Sequence, residues 1–282
     1  MLSRARDRTL GLLRSNGREV AWTPEWMGLG NVLYLTLWAF QGRTAGGRHV
    51  VLRSGVMDRW LPLFEGLAPY SVSRQEVRFT DQRVRPWERV ADGRPWFSFD
   101  QLDAFLAAAG LDESVRRRAE AEGLAPRTDQ LVVNVRRGDY YDNPTYRADF
   151  GFDVEAYLRH AVSASLERDG PVRRVRVVSD GIPWCRAHLS WLDERVEEVS
   201  YAEGGSPERD LLEVASSPRL VITNSTFSYW AAYLSNAIHG RHAETWTPRF
   251  FRRTGAPTTD LDPRWTIVES LPGGWDPPED QS

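Results

Sequence analysis

The sequence predicts an α/β fold built on parallel strands, and three observations lead to it. Residues 131–135 read Leu-Val-Val-Asn-Val, an apolar, valine-rich run suited to a buried strand of a parallel sheet. Residues 220–223 read Leu-Val-Ile-Thr and lead through Asn-Ser-Thr into an aromatic segment at helical spacing. From about residue 130 to 240, strand-length and helix-length segments alternate, the pattern of a Rossmann-like half.

Taken in order, residues 1–17 carry Leu2, Leu10, Leu12 and Leu13 among arginines. They read as a short amphipathic helix, either a solvated terminus or an attachment to a membrane surface or partner. Gly28-Leu29-Gly30-Asn31 then opens an apolar segment, residues 32–40. Such a turn into a helix brings backbone N–H groups toward an anion, although it is also common at ordinary turns. Residues 49–52 are a predicted strand and 60–64 a short apolar patch, while 70–97 receive no assigned chemistry. Residues 99–110 and 112–123 are predicted helices, and Leu-Ala-Pro-Arg-Thr-Asp at 124–129 breaks the pattern as a domain boundary. After the 131–135 strand, residues 141–150 read as a polar loop suited to an acceptor site. Predicted elements follow at 154–166 (helix), 172–178 (strand), 196–201 (strand), 207–217 (helix) and 220–223 (strand). Residues 272–282, rich in Gly, Pro and acidic residues, are expected to be disordered.

The 282 residues suffice for one large domain or two moderate ones. A net charge of -3 argues against a general nucleic-acid or anionic-membrane binder. All 36 basic residues are arginines, which we attribute to codon bias. A single cysteine, Cys185, excludes an intrachain disulfide and a cysteine-rich zinc site. No apolar run approaches the roughly 18 residues of a membrane span, and no signal peptide is visible, so a cytoplasmic protein is expected, with peripheral contact at the inner face of the membrane left open. Oligomeric state is not legible.

The chemistry concentrates after residue 135. Arg136-Arg137-Gly138-Asp139-Tyr140 follows the strand directly, and in open α/β sheets ligands bind beyond the carboxyl ends of strands. A guanidinium there suits phosphate oxygens, and the alternative is a solvated arginine pair. Together, Asn134–Tyr140 and the Asn224–Trp230 segment resemble the bacterial alpha-1,2-fucosyltransferases of glycosyltransferase family 11. That family carries a His-x-Arg-Arg-Gly-Asp-Tyr block and an Asn-Ser-(Ser/Thr)-Phe-Ser-Trp-Trp block. The turn at Gly28 is similar to its N-terminal Gly-Gly-Leu-Gly-Asn-Gln. This chain departs from the family at Met27, Val32, Asn134 and Gly181.

The resemblance implies a GT-B-like architecture, two Rossmann-like domains facing across a cleft. Residues 1–125 would form the acceptor-side domain and 126–270 the nucleotide-sugar domain. It implies GDP-fucose as donor, inversion, no metal and no further cofactor. The expected partners are this donor and a glycan, glycolipid or small glycoside acceptor, without nucleic acid. Arg136 is expected to stabilise the β-phosphate charge, with Arg137 organising the loop or adding charge. Gly28, Gly30, Asn31, Asn224, Ser225 and Thr226 are expected donor contacts, and Asn134 and Asp210 nucleobase contacts. Asp139 is the candidate base, with an arginine-orienting ion pair as its other reading. Asp180 is read as a turn residue or a ligand contact. Asp260-Leu261-Asp262 and the five histidines give no defensible metal set. Two readings compete with fucosyl transfer: a same-fold transferase using another deoxyhexose nucleotide, as in secondary-metabolite tailoring, and a catalytically silent nucleotide- or glycan-binding protein.

Overall fold

The computed structural model describes residues 17–89, 97–254 and 258–276. The chain divides into two compact units, Met1–Leu111 and Asp112–Ser282. The division falls one helix before the Pro126 linker to which the sequence pointed.

The first unit holds a four-stranded sheet of β1 (Glu19–Ala21), β2 (His49–Leu52), β3 (Ser71–Val72) and β4 (Gln82–Val84). All its pairings are parallel, in the order β3-β2-β1-β4. Helix α1 (Leu29–Thr44) follows β1, with Gly28 as its N-cap, and α2 (Gly55–Trp60) follows β2. Helix α3 (Phe99–Ala109) starts on a capping box formed by Ser98 and Gln101 and stops at Gly110, whose φ of 59° is left-handed. Those start and stop signals fix its limits. Only β2 among these strands was predicted. The other three have two or three residues, too short for a periodic signal.

The second unit opens with α4 (Leu111–Ala121) and holds six strands. They are β5 (Gln130–Val135), β6 (Arg174–Ser179), β7 (Glu198–Tyr201), β8 (Leu220–Ile222), β9 (Thr245–Pro248) and β10 (Thr266–Val268). All pairings are parallel and the order is β10-β9-β8-β5-β6-β7. Counted from β5 this is the doubly wound Rossmann order, and strand order reverses between β5 and β8. Five helices matter to the site: α5 (Gly138–Asp142), α6 (Pro144–Phe150), α7 (Val154–Arg168), α8 (Ile182–His188) and α9 (Pro207–Ala215). The aromatic segment after β8 is α10 (Thr226–His239).

Side chains alternate along β5 with the period of a strand. Leu131, Val133 and Val135 pack into a core with Tyr157, Leu158, Val162 and Cys185, on the side of α7 and α8. Asn134 faces the other way and meets Ser228 of α10. Tyr157 hydroxyl donates to the Ile222 carbonyl at 2.8 Å, pinning α7 to β8. Tyr229, Trp230 and Tyr233 of α10 are buried core residues.

Residues 138–150 correct the expected polar loop: they form α5 and α6. Asn143 caps α6 by accepting from Thr145 N–H, and Pro144 occupies the first turn, where its missing N–H costs nothing. The expected disorder from residue 272 onward also needs correction, because Trp275 packs in the core beside Phe152 and Phe250. The helix predicted over residues 1–17, up to residue 16, and the tail at 277–282 lie outside the described residues.

Candidate active site

The site is built where β5, β6 and β8 end side by side. Arg136 follows β5 immediately, and its backbone N–H donates to Thr223 Oγ1 at 2.8 Å, across the point of strand reversal. Asp180 follows β6. Its Oδ1 accepts from Arg137 N–H at 2.7 Å, and its Oδ2 lies 2.8 Å from Arg136 Nη1. Asp139, in the first turn of α5, holds Arg136 Nη2 at 2.5 Å. The guanidinium is therefore gripped on both ends by carboxylates. Burial alone would lower the Arg136 pKa, but the Asp180 and Asp139 charges outweigh it and raise it. Its Nε is buried with no hydrogen-bond partner among the described residues. A charged donor buried without a partner is costly, and the third of the Arg136 side chain that stays exposed is what a ligand oxygen can reach.

Two glycines make this geometry sterically feasible. Gly138 has φ of 23°, and a Cβ there would lie 2.5 Å from Asp180 Oδ2. At Gly181 a Cβ would lie 2.7 Å from Arg137 Cβ. A side chain at position 181 would therefore meet Arg137 as it is placed here.

A cavity of about 130 Å³ lies beside Arg136, lined among others by Asn134, Asp180, Pro207, Asp210, Ser225 and Phe227. It is smaller than the roughly 300–1,000 Å³ of whole ligand pockets, so it suits a fragment of a ligand. Asp210, in the first turn of α9, faces it. Burial first, and then the Glu213 charge, push its carboxyl up to about 6.

The structure brings Asn134, Arg136, Asp210 and Ser225 to this cavity, with Asp139 on the arginine and Thr226 next to Ser225 at the first residue of α10. Two asparagines have other duties. Asn134 donates to the Val178 carbonyl at 3.1 Å and accepts the Ser228 hydroxyl at 2.5 Å, tying β5 to β6 and α10. Asn224 donates to the carbonyls of Phe150 and Phe251, each at 2.9 Å, and is 1% exposed. Both side chains hold loops and strands, and Asn134 also lines the cavity. Ser225 caps α10, accepting from Phe227 N–H at 3.3 Å. Arg137 does not join Arg136. Its guanidinium lies between the rings of Tyr141 and Trp184, 3.5 and 4.1 Å from their centroids. Gly28, Gly30 and Asn31 stand at the start of α1 in the first unit, where the departures Met27 and Val32 are core residues.

Sequence reasoning left Asp180 undecided between turn and ligand, and it proves to be a full member of the arginine cluster. The available signal was its place directly after β6, at the same sheet edge as Arg136. Pro207 and Phe227 were missed as lining residues. Among the described residues no three His, Cys, Asp or Glu side chains gather to hold a metal ion.

The model of glycosyl transferase family 11 matches residues 98–240, half of the chain. The chain belongs to glycosyl transferase family 11. It is 31% identical over 109 residues to the alpha-1,2-colitosyltransferase of Escherichia coli, covering 39% of this chain and 37% of that one. It is 36% identical over 194 residues to the galactoside alpha-(1,2)-fucosyltransferase 1 of Saimiri sciureus, covering 60% and 51%. The chain thus spans about half the length, or less, of these curated relatives. A crystal structure of POFUT1 in complex with GDP aligns with a TM-score of 0.47 at 11% identity, over 82% of this chain and 98% of that one. Among the described residues no helix is long and apolar enough to cross a membrane.

Proposed function

We propose that this family 11 chain is an inverting glycosyltransferase that moves L-fucose from GDP-fucose to a galactoside hydroxyl of a glycan, glycolipid or small glycoside, in alpha-1,2 linkage. One observation carries the reading. Arg136 stands at the strand-reversal point of a Rossmann sheet, held by two carboxylates, with about a third of its side chain exposed beside the cavity.

The chemistry follows from charge. As the bond from the sugar C1 to the phosphate oxygen breaks, negative charge grows on the leaving diphosphate. A prepositioned guanidinium stabilises that charge without reorganising, an effect commonly worth about 2.7–4 kcal/mol per donor. The acceptor oxygen forms the new bond on the opposite face of C1 and gives up its proton. Asp139 is the carboxylate proposed to receive it, while its Oδ1 also steadies Arg136. Ionised Asp210 accepts from the N–H donors of the base, and Ser225 and Thr226 add contacts at the start of α10. Asn134 lines the cavity, Arg137 fixes Asp180 through its backbone N–H, and Asn224 holds the surrounding loops. On the family resemblance, Gly28, Gly30 and Asn31 remain proposed donor contacts of the first unit.

The test is thermal stabilisation by GDP, GDP-fucose, UDP and dTDP with EDTA present, since a ligand that binds only the native state raises the melting temperature. Stabilisation by GDP and GDP-fucose alone supports the proposal and a metal-independent donor site. A preference for UDP or dTDP overturns the donor. A second reading, transfer of a different deoxyhexose, is favoured by the similarity to a colitosyltransferase. Turnover assays with a panel of GDP-deoxyhexoses separate the two.

A further inference from the structure

The two motif arginines face opposite sides of the sheet. Strand alternation carried past Val135 puts Arg136 on the side of Asn134 and Arg137 on the side of Leu131, Val133 and Val135. Arg136 lines the small cavity beside Asp210, whereas Arg137 lines a separate one of about 610 Å³ that shares no residue with it. That volume is in the range of small-ligand pockets.

The larger cavity has a distinctive wall. Tyr141, Arg137, Trp184 and His188 form one continuous stack. The Arg137 guanidinium lies against the Tyr141 and Trp184 rings, and Trp184 lies parallel to His188 at 4.5 Å. His188 Nδ1 is 3.2 Å from Glu155 Oε2. The face of the Arg137 guanidinium is used against the two rings, so what remains of it for a ligand in this cavity is its N–H edge. Arg147 of α6 projects into the same cavity. Neither Arg137 nor Arg147 has an ion-pair partner among the described residues. Each is near enough to the other for the Arg147 charge to help burial depress the Arg137 pKa. By contrast Arg253, the third guanidinium in the lining, is paired with Asp276. Asp153 and Glu155 line the α7 side of the cavity. Asp153 Oδ1 accepts from Ala156 N–H at 2.9 Å and Glu155 is paired with Arg159 at 2.7 Å as well as with His188, so the remaining lone pairs of these carboxylates face the cavity as acceptors.

Two unpaired guanidiniums call for an acid group, while carboxylates in the same lining repel a bare anion and accept hydrogen bonds from hydroxyls. A neutral sugar would leave both arginines unpaired. We propose that this cavity binds a sugar residue bearing an acid group, its carboxylate or phosphate held by Arg137 and Arg147 and its hydroxyls by Asp153 and Glu155. The site goes beyond sugar transfer and stands independently of it. Its use in selecting acidic acceptors rests on the transferase reading.

The test is titration of the full chain with glucuronate, glucose 6-phosphate, glucose and inorganic phosphate, followed by calorimetry or ligand-observed NMR. It is repeated on Arg147→Ala, a change at an exposed helical position. Saturable binding of glucuronate or glucose 6-phosphate, at least about tenfold tighter than glucose or phosphate and weakened about tenfold or more by Arg147→Ala, is the expected result; the tighter of the two names the acid group. The melting temperature without ligand and the GDP-induced shift are read on the same samples. An unchanged melting temperature establishes that the variant is folded, whether or not GDP binds, and an unchanged GDP shift keeps this test separate from that of the donor site. Equal binding of glucose, equal binding of phosphate alone, indifference to Arg147→Ala, or no saturation by either acid sugar overturns the proposal.

Discussion

Replacing Arg136 by alanine separates the chemistry of the site from the stability of the fold. The Arg136 backbone N–H, which bridges β5 to Thr223 beyond β8, survives the change. What disappears is a guanidinium about one-third exposed, together with its two ion pairs to Asp139 and Asp180. Ion pairs this exposed contribute about 0–1 kcal/mol each. For a domain of about 150–250 residues, 1 kcal/mol moves the melting temperature by roughly 2–4 °C, so a fall of a few degrees is expected. Donor binding suffers more. A charge-assisted hydrogen bond is worth about 1.5–3 kcal/mol, and the variant also leaves Asp139 and Asp180 uncompensated against a diphosphate. GDP affinity should drop by about tenfold to a hundredfold or more. Lost stabilisation of the leaving group should lower kcat by about 10² to 10³. Arg136→Lys restores the charge but not the fork that reaches both carboxylates, and should recover only part of the loss. The assays are GDP calorimetry, transfer from GDP-fucose and a melting curve on each variant. Transfer and GDP affinity both within threefold of the parent chain would falsify the role given to this arginine.

Further outcomes at three residues rest on the same geometry. Asp210 has a folded-state pKa of about 6 against an ordinary 3.8, because burial and the Glu213 charge disfavour its ionised form. Ionised Asp210 is the form that accepts from a base, so GDP affinity should rise about tenfold from pH 5 to pH 7, and Asp210→Asn should flatten that dependence. The same shift bears on stability with a definite sign. Between about pH 4 and pH 6 the folded chain holds a proton the unfolded chain has released, so stability falls as pH rises, and Asp210→Asn should melt higher than the parent above pH 6 but not below pH 4. Asp139→Asn should reduce kcat and strip its dependence on a basic group while GDP binding falls only a fewfold. A pH–rate profile identical to the parent's would remove the base role and leave the orienting one. Gly138→Ala forces a Cβ against an Asp180 carboxylate already fixed by Arg136 and Arg137. Together with its left-handed φ this should cost about 1–3 kcal/mol and weaken GDP binding, both visible in one melting series.

The second unit was largely legible because its strands announce themselves. β5 and β6 are six-residue valine-rich runs, β8 is a short, wholly buried apolar one, and α9 and α10 carry helical spacing after polar caps. The first unit was not, since β1, β3 and β4 have two or three residues of mixed polarity (Glu-Val-Ala, Ser-Val and Gln-Arg-Val), whereas β8, equally short, is wholly apolar and stands before a polar turn. Within the site, Arg136 could be found because a charged pair directly after a buried strand stands at the ligand-binding edge of any parallel sheet. The roles of Asn134 and Asn224 could not. An asparagine at a strand end looks the same in sequence whether its amide faces a ligand or, as here, holds the carbonyls of Val178, Phe150 and Phe251.

The sequence by itself determined the family, the two motif blocks and the strands that carry them, because those depend on local order along the chain. Only the tertiary structure decided that Asp180, 44 residues after Arg136, grips it. That contact exists because β5 and β6 pair in parallel register, which brings Val135 beside Ser179 and so aligns the residues that follow each strand. It also decided that Arg136 and Arg137 serve separate cavities, since neighbouring residues of a strand face opposite sides of the sheet and each side is covered by different helices.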